Sequence, residues 1–416
     1  MAMRECGLWE RPWSRMHLRL GERAFAAKAA PTGWRLLTLL TLLLWPLFAS
    51  AAPRIGVMTM QPGEVFWERF GHDAIVVDDP ARGEALSYNF GFFDPSEPGF
   101  VSNFVAGRMR YALVALPLRE DLATYRDEGR GVRLQWLDLS PAQAQSIADA
   151  LAENAEPANS RYRYDYFRDN CATRVRDAID RGLGGALHER LAASSRGLTY
   201  RSESTRLASP ARWMWLGFEL GLGPNADVPL SRWDDAFVPM RLADNLRDMR
   251  LADGRPLVAA EEQLLPHRIA PEPADPSTAW WPYALAGLAL AGLVLVAGKR
   301  RPRLLAACAI PFWLPCGLVG ALLLYLWLGT QHWAAWANHN LLLLDPLCLL
   351  LLPGAWTLAR GRRPGRMFGW TLATVAVLAL AALAMSWLQV RTQQNMRWIV
   401  LLLPIHLALF AALRRR

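Results

Sequence analysis

"YDYFRDNCATRVRDAID", residues 164–180, puts a cysteine where a helix begins. After Cys171, the residues Val175, Ala178 and Ile179 recur at helical spacing, while Arg174, Arg176, Asp177, Asp180 and Arg181 are free to face water or the rim of a site. "GLGG", residues 182–185, stops the pattern, and Asp169 or Asn170 can cap its start. Cys171 therefore falls in the first turn, where unpaired backbone N–H groups and the positive end of the helix dipole favour thiolate over thiol. The plainer alternative is a small apolar residue packing a helix start, and the segment alone weighs the two about evenly. Asn170 and Arg174, flanking the cysteine, are candidates to touch a substrate.

The rest of the chain decides which side of a membrane this cysteine occupies. Residues 36–52, "LLTLLTLLLWPLFASAA", come after a basic stretch with Lys28 and Arg35 and end on the small residues Ala49, Ser50 and Ala51. That is the pattern of a secretory signal peptide, with an uncleaved anchor as the alternative, and either one exports the globular part of the chain. From Trp280 onward there are five apolar stretches, residues 280–298, 304–328, 341–358, 367–388 and 398–413. Each is near the ~20 residues that a helix needs to cross the hydrocarbon core. The connections 299–303 and 360–366 and the terminal 414–416 are strongly basic, 329–340 has no Lys or Arg, and the fourth connection carries only Arg391 and Arg397. By the positive-inside rule the spans begin outside and end inside, which puts the globular part on the outer side of the membrane. The net charge of +9 is thus topological and no sign of nucleic-acid binding, since residues 52–278 alone are acidic.

The chain divides into four parts: a leader and signal peptide (1–51), a thiol domain (52–185), an extension and linker (186–278) and a membrane domain (279–416). Cys6 lies in the leader, and Cys308, Cys316 and Cys348 lie in or beside the apolar runs, so Cys171 is the lone exported cysteine. Such a residue is an inert buried thiol, an intermolecular bridge or a nucleophile.

A nucleophilic cysteine wants a base, usually histidine. Between residues 52 and 278 the histidines are His72, His188 and His267. "PGEVFWERFGHDAIVVDD", residues 62–79, reads as a short helix opened by Pro62, stopped by Gly71 and followed by a strand that starts at His72. A histidine there can point into a cleft while the strand anchors it. A second strand at 85–94, "ALSYNFGFFD", pairs antiparallel with the first and offers Asn89, Tyr88 and Asp94 as partners for the second imidazole nitrogen, with Asp73 a further candidate. Asn89 is favoured. "RMRYALVALPL" and "GVRLQWLDL" read as strands, and "SPAQAQSIADALAEN" reads as a helix capped by Ser140. Strands flanked by helices indicate an α+β domain. Repeats, phosphate-binding glycine loops and metal-ligand clusters do not stand out in the sequence.

The set "FGHDAIVV", "YNFGFFD" and "DNCATRVRD", ahead of five spans and "NHNLLLLDPL" (338–347), resembles the Lnb-type bacterial lipoprotein N-acyltransferases. Their periplasmic domain is similar to circularly permuted papain-like NlpC folds, in which histidine precedes cysteine. The resemblance implies Cys171 as nucleophile and His72 as its base. It implies transfer of an acyl chain from a membrane phospholipid to the α-amino group of a diacylglyceryl-cysteine lipoprotein, with no metal or organic cofactor. Residues 186–278 carry no part of it. Two rival readings stand: a membrane-tethered cysteine hydrolase acting on peptidoglycan or lipid esters, and a binding module with Cys171 in its core. In the outer loop, Trp333 and Trp336 read as headgroup anchors. His339, Asn340 and Asp345 are expected to line a lateral access site for lipid, because polar groups leading into an apolar run are costly there.

Overall fold

The structure is a computed structural model that describes residues 52–275, 278–388 and 391–414; the expected leader and signal peptide, with Cys6, lie outside the described residues. Apolar alternation makes the strands. In β2 (His72–Asp78) Ile75 and Val77 face one side while Ala74 and Val76 face the other, and all four are buried. β2 lies between β1 (Arg54–Met60) and β3 (Leu86–Phe92), both antiparallel to it. With β4 (Arg110–Pro117), β5 (Val132–Leu137), β6 (Arg161–Arg163) and β7 (Val258–Leu265) they form one sheet in the order β6-β4-β3-β2-β1-β5-β7.

Helices cover both faces. α1 (Phe100–Ala106) comes after β3, and α2 (Leu118–Glu128) brings Tyr125 onto the face of Ala74 and Val76. α3 (Pro141–Asn154) begins at a Ser140 capping box and packs Ile147 and Leu151 on the opposite face. Beside it runs α4 (Cys171–Gly182), whose Val175 and Ile179 are fully buried. Burying each such side chain contributes about 1.5–3 kcal/mol, so this stripe holds the start of α4 against β2 and β3. The helix expected over residues 62–70 is instead a run of turns, because Glu68 turns back on the segment. Its carbonyl accepts from Gly63 N and its carboxylate from Val65 N.

Most of the expected extension is built into the globular part. α5 (Ala186–Ala192), α6 (Tyr200–Ala208), α7 (Arg212–Gly221), α8 (Arg232–Asp235) and α9 (Pro239–Asp248) build a layer in which Leu242 and Leu246 join the core of the sheet. The chain then returns as β7 to pair with β5. Sequence locality hid this edge, since β5 and β7 are more than a hundred residues apart.

The membrane domain has α10 (Trp281–Arg300), α11 (Pro302–Gly329), α12 (Cys348–Ala359), α13 (Arg366–Leu388) and α14 (Met396–Leu413). Four are long and apolar enough to cross a bilayer, and α12 is shorter. At ~1.5 Å per residue α12 covers roughly half of the hydrocarbon thickness. The third expected span, 341–358, is therefore broken: a 3-10 turn (His339–Leu342) and an irregular stretch precede α12. Irregular backbone at that depth has to be satisfied by protein. His406 of α14 donates from Nε2 to the Leu343 carbonyl at 2.9 Å. Gly320 of α11 permits the close approach, since a Cβ there would lie 2.2 Å from the Leu344 oxygen. The connections that touch the globular part are 330–345 and 393–397, the ones poor in basic residues. That matches an outward-facing globular domain.

Candidate active site

The start of α4 is fixed by reciprocal capping. Asn170 Oδ1 accepts from Thr173 N at 2.9 Å, while Thr173 Oγ1 accepts from Asn170 N at 2.7 Å. Asn170 Nδ2 donates to the carbonyls of Tyr166 and Phe237, tying the turn before Cys171 to the α8–α9 junction. β3 bends at a bulge centred on Gly91 (φ +94°), and a Cβ there would be 3.5 Å from the Tyr164 ring and 3.8 Å from Cys171 Cβ. Cys171 is thus buried against the end of the sheet where β2 begins.

Three backbone amides favour a charged sulfur, those of Asp73, Ala172 and Cys171 itself. The Asp73 amide belongs to the peptide that joins it to His72, so sulfur and imidazole share one corner of the sheet. Burial outweighs these donors, and with the nearby Asp73 carboxylate it pushes the Cys171 thiol up to about 12. The helix start was expected to give a thiolate; here desolvation keeps the proton on. Asp73 is fully buried, with one oxygen accepting from Thr59 Oγ1 at 2.7 Å and the other unpartnered. Burial raises its carboxyl to about 7.

His72 meets Asn89, with Nε2 and Oδ1 3.0 Å apart. Asn89 Nδ2 donates to Asp121 Oδ2 at 2.9 Å and Ser87 Oγ at 3.2 Å, and Ser87 Oγ donates to Asp121 Oδ2 at 2.6 Å. With its amide nitrogen so committed, Asn89 presents its carbonyl oxygen to the ring. His72 Nε2 must then carry the hydrogen, which leaves Nδ1 as the basic nitrogen. Burial and the Arg130 charge lower His72 to about 4, against the opposing pull of Asp121 and Asn89. At neutral pH the pair is therefore a thiol and a neutral imidazole.

Asp121, Ser87 and Arg130 were not foreseen. Asp121 had a legible signal: with Leu118, Leu122 and Tyr125 it occupies the apolar face of α2, where a carboxylate needs a partner.

The other anticipated residues have different surroundings. Tyr88 is in the core, facing away from Asn89. Asp94 is exposed and accepts from the amide and hydroxyl of Ser96 in its own turn. Arg174 pairs with Asp169 and lies over the Tyr162 ring. His339 N donates to Gln393 Oε1, and Asp345 Oδ1 accepts from Leu347 N at the start of α12. Asn340 is fully buried, donating to the Leu220 carbonyl and accepting from Asn395 Nδ2, both at 3.0 Å. Of these loop residues Asn340 joins the membrane domain to α7, while the bonds of His339 and Asp345 stay within the membrane domain. Asn340→Ala is expected to cost about 1–3 kcal/mol by stranding those groups. A lower thermal midpoint in detergent, with the chemistry at Cys171 unchanged in the folded fraction, would be the readout.

The outer loop reaches the thiol region through other side chains. Trp333 Nε1 donates to Asp165 Oδ2 at 2.7 Å, and the Arg168 guanidinium lies 3.6 Å from the Trp333 ring centre. A cavity of about 560 Å³ opens there, lined by Arg168, Tyr200, Asp234, Trp333 and Trp336 among others, but not by Cys171 or His72.

Residues 49–204 match the family model for the Lnb N-terminal periplasmic domain, and residues 277–416 match that for the Lnb transmembrane domain. No curated protein and no solved structure matches the chain. Because the two matched domains come in order and together take in most of the sequence, the chain belongs to the Lnb family, thiol-dependent inner-membrane enzymes that move an acyl chain from phospholipid to the N-terminus of a diacylated lipoprotein.

Proposed function

We propose that Cys171 carries the acyl chain as a thioester, with His72 as its base and Asn89 as the group that orients the base. As His72 Nδ1 takes the thiol proton, sulfur attacks the ester carbonyl of a phospholipid. The carbon–oxygen bond breaks, and the imidazolium returns the proton to the departing glyceryl oxygen, releasing lysophospholipid. The amine of the lipoprotein then attacks the thioester, the carbon–sulfur bond breaks, and His72 passes the amine proton to sulfur. The amides around the sulfur are the donors best placed for the oxyanion of each tetrahedral intermediate. Asp121 is a positioning residue, acting through Asn89.

The observation that carries this reading is the committed amide of Asn89, which leaves His72 one free basic nitrogen. Intact-mass measurement after incubation with phospholipid should show one hydroxylamine-labile acyl group on Cys171, which transfers to a lipoprotein amine when acceptor is added. Acceptor acylated with no adduct at Cys171 would overturn it, and release of free fatty acid alone would favour hydrolysis. Asn89→Ala lets either imidazole nitrogen carry the hydrogen, so thioester formation should slow about 10- to 100-fold. Asp121→Asn should have a smaller effect on the same rate.

A further inference from the structure

The end of the sheet that holds His72 and Cys171 is rimmed by side chains that a water-soluble domain usually keeps inside. Trp67 is 53% exposed, Phe92 55% and Val101 69%, with Phe66 and Val105 also open. Val101 and Val105 sit one turn apart on α1, a helix with no buried residue. Aromatic contacts join this rim to the thiol. Trp67 meets Phe93 edge-on at 6.2 Å, Phe93 stacks on Tyr111 at 5.0 Å, and Tyr111 lies 4.4 Å from Tyr164, the ring beside Gly91 and Cys171.

The end of α1 identifies the cover of this rim. The Ala106 carbonyl accepts from Gln331 N at 2.9 Å, and the Phe104 carbonyl accepts from His332 Nε2 at 3.1 Å. Gln331 comes two residues after α11, a membrane-spanning helix, stops at Gly329. The C-terminal end of α1 is therefore tied to the residues that directly follow α11, at the outer end of that apolar helix. Just beyond it, Arg108 and Arg110 are exposed and have no carboxylate partner among the described residues. Apolar residues beside free cations at a membrane boundary are the composition of an interfacial lipid-binding element.

We propose that α1 and the turn at 65–67 rest in the outer leaflet of the inner membrane, with Val101, Val105 and Trp67 among acyl chains and Arg108 and Arg110 among phosphates. Donor phospholipid then reaches Cys171 sideways along the aromatic path, without leaving the bilayer. This second step rests on the thioester reading; the membrane contact does not.

The contact is tested in the full chain in phosphatidylglycerol–phosphatidylethanolamine nanodiscs, with Cys6, Cys171 and Cys308 replaced and a nitroxide attached at Val101→Cys. Collisions with oxygen should exceed those with a water-soluble nickel chelate, while a label at Asp253→Cys should show the reverse. A water-like ratio at position 101, or protection from both reagents as under a second protein, would overturn the contact. For the access route, Val101→Glu with Val105→Glu should slow thioester formation from bilayer phospholipid about tenfold or more, because two charges must leave the lipid. Acylation of Cys171 by p-nitrophenyl butyrate in water should stay within about twofold, a control for fold and thiol chemistry that requires no lipid access. Unchanged loading from phospholipid, equal loss with both donors, or normal loading with slowed transfer to lipoprotein would each overturn the route; the last would make the rim an acceptor surface.

Discussion

Cys171→Ser is expected to abolish lipoprotein N-acylation, with a fall of about 10⁴-fold or more, while the protein still inserts and folds. The size of the loss comes from what His72 is able to deprotonate. Even a thiol raised to about 12 gives up its proton more readily than a serine hydroxyl, and sulfur is the stronger nucleophile and the better leaving group for an amine. The substituted oxygen is buried in the same capped helix start, so circular dichroism and detergent stability should be unchanged. Acyl transfer at more than a few per cent of the native rate would end the covalent mechanism. Wild-type alkylation by iodoacetamide should be slow at pH 7 and rise about tenfold per pH unit, following the thiolate fraction.

His72→Ala comes second, with thioester formation expected to drop about 10²- to 10⁴-fold as the proposed general base is lost. Its pH profile carries the sharper information. A base must be unprotonated to act, and burial with the Arg130 charge holds this imidazole at about 4, so it is free above that pH and blocked below it. The acid limb of kcat/KM for a short-chain ester should therefore lie near pH 4 rather than near 6.5. Arg130→Gln removes a nearby positive charge and should move the limb upward. An acid limb near 6.5 in the wild type would assign the base role to a solvated group.

Much of the candidate site was legible because its signals are local. A cap, a helical apolar stripe and a glycine stop surround Cys171, and an apolar strand continues from His72, within short windows. Asn89 could be named only as one of several polar residues on the neighbouring strand; its amide orientation depends on Ser87 and Asp121, and Asp121 shows only once residues 118–128 are read as a helix with Leu118, Leu122 and Tyr125 on its apolar face. The topology was legible for the same reason, since loop charge and apolar length are properties of short segments. The failures are non-local or compensated. β7 has a polar sequence, "VAAEEQLL", that makes a strand because β5 offers an open edge. The broken third span reads as continuous because Leu and Pro hide an unwound backbone whose carbonyl is satisfied by His406, sixty-three residues away. At residues 62–70, helical spacing lost to a glutamate that bonds back into its own turn.

The buried thiol beside Asp73 bears on how a solitary cysteine survives in an oxidising compartment. Disulfide exchange and peroxide oxidation both proceed through the thiolate. At pH 7 a thiol raised to about 12 is ionised to about one part in 10⁵, whereas an ordinary one near 8.5 is ionised to a few per cent. Desolvation and the neighbouring carboxylate thus slow capture by small disulfides by about a hundredfold, after allowing for the greater intrinsic nucleophilicity of a more basic thiolate. Among the described residues no other cysteine lies in the globular part to resolve a mixed disulfide, so under the proposed mechanism durability in the periplasm rests on keeping sulfur protonated until an acyl ester and His72 meet it together.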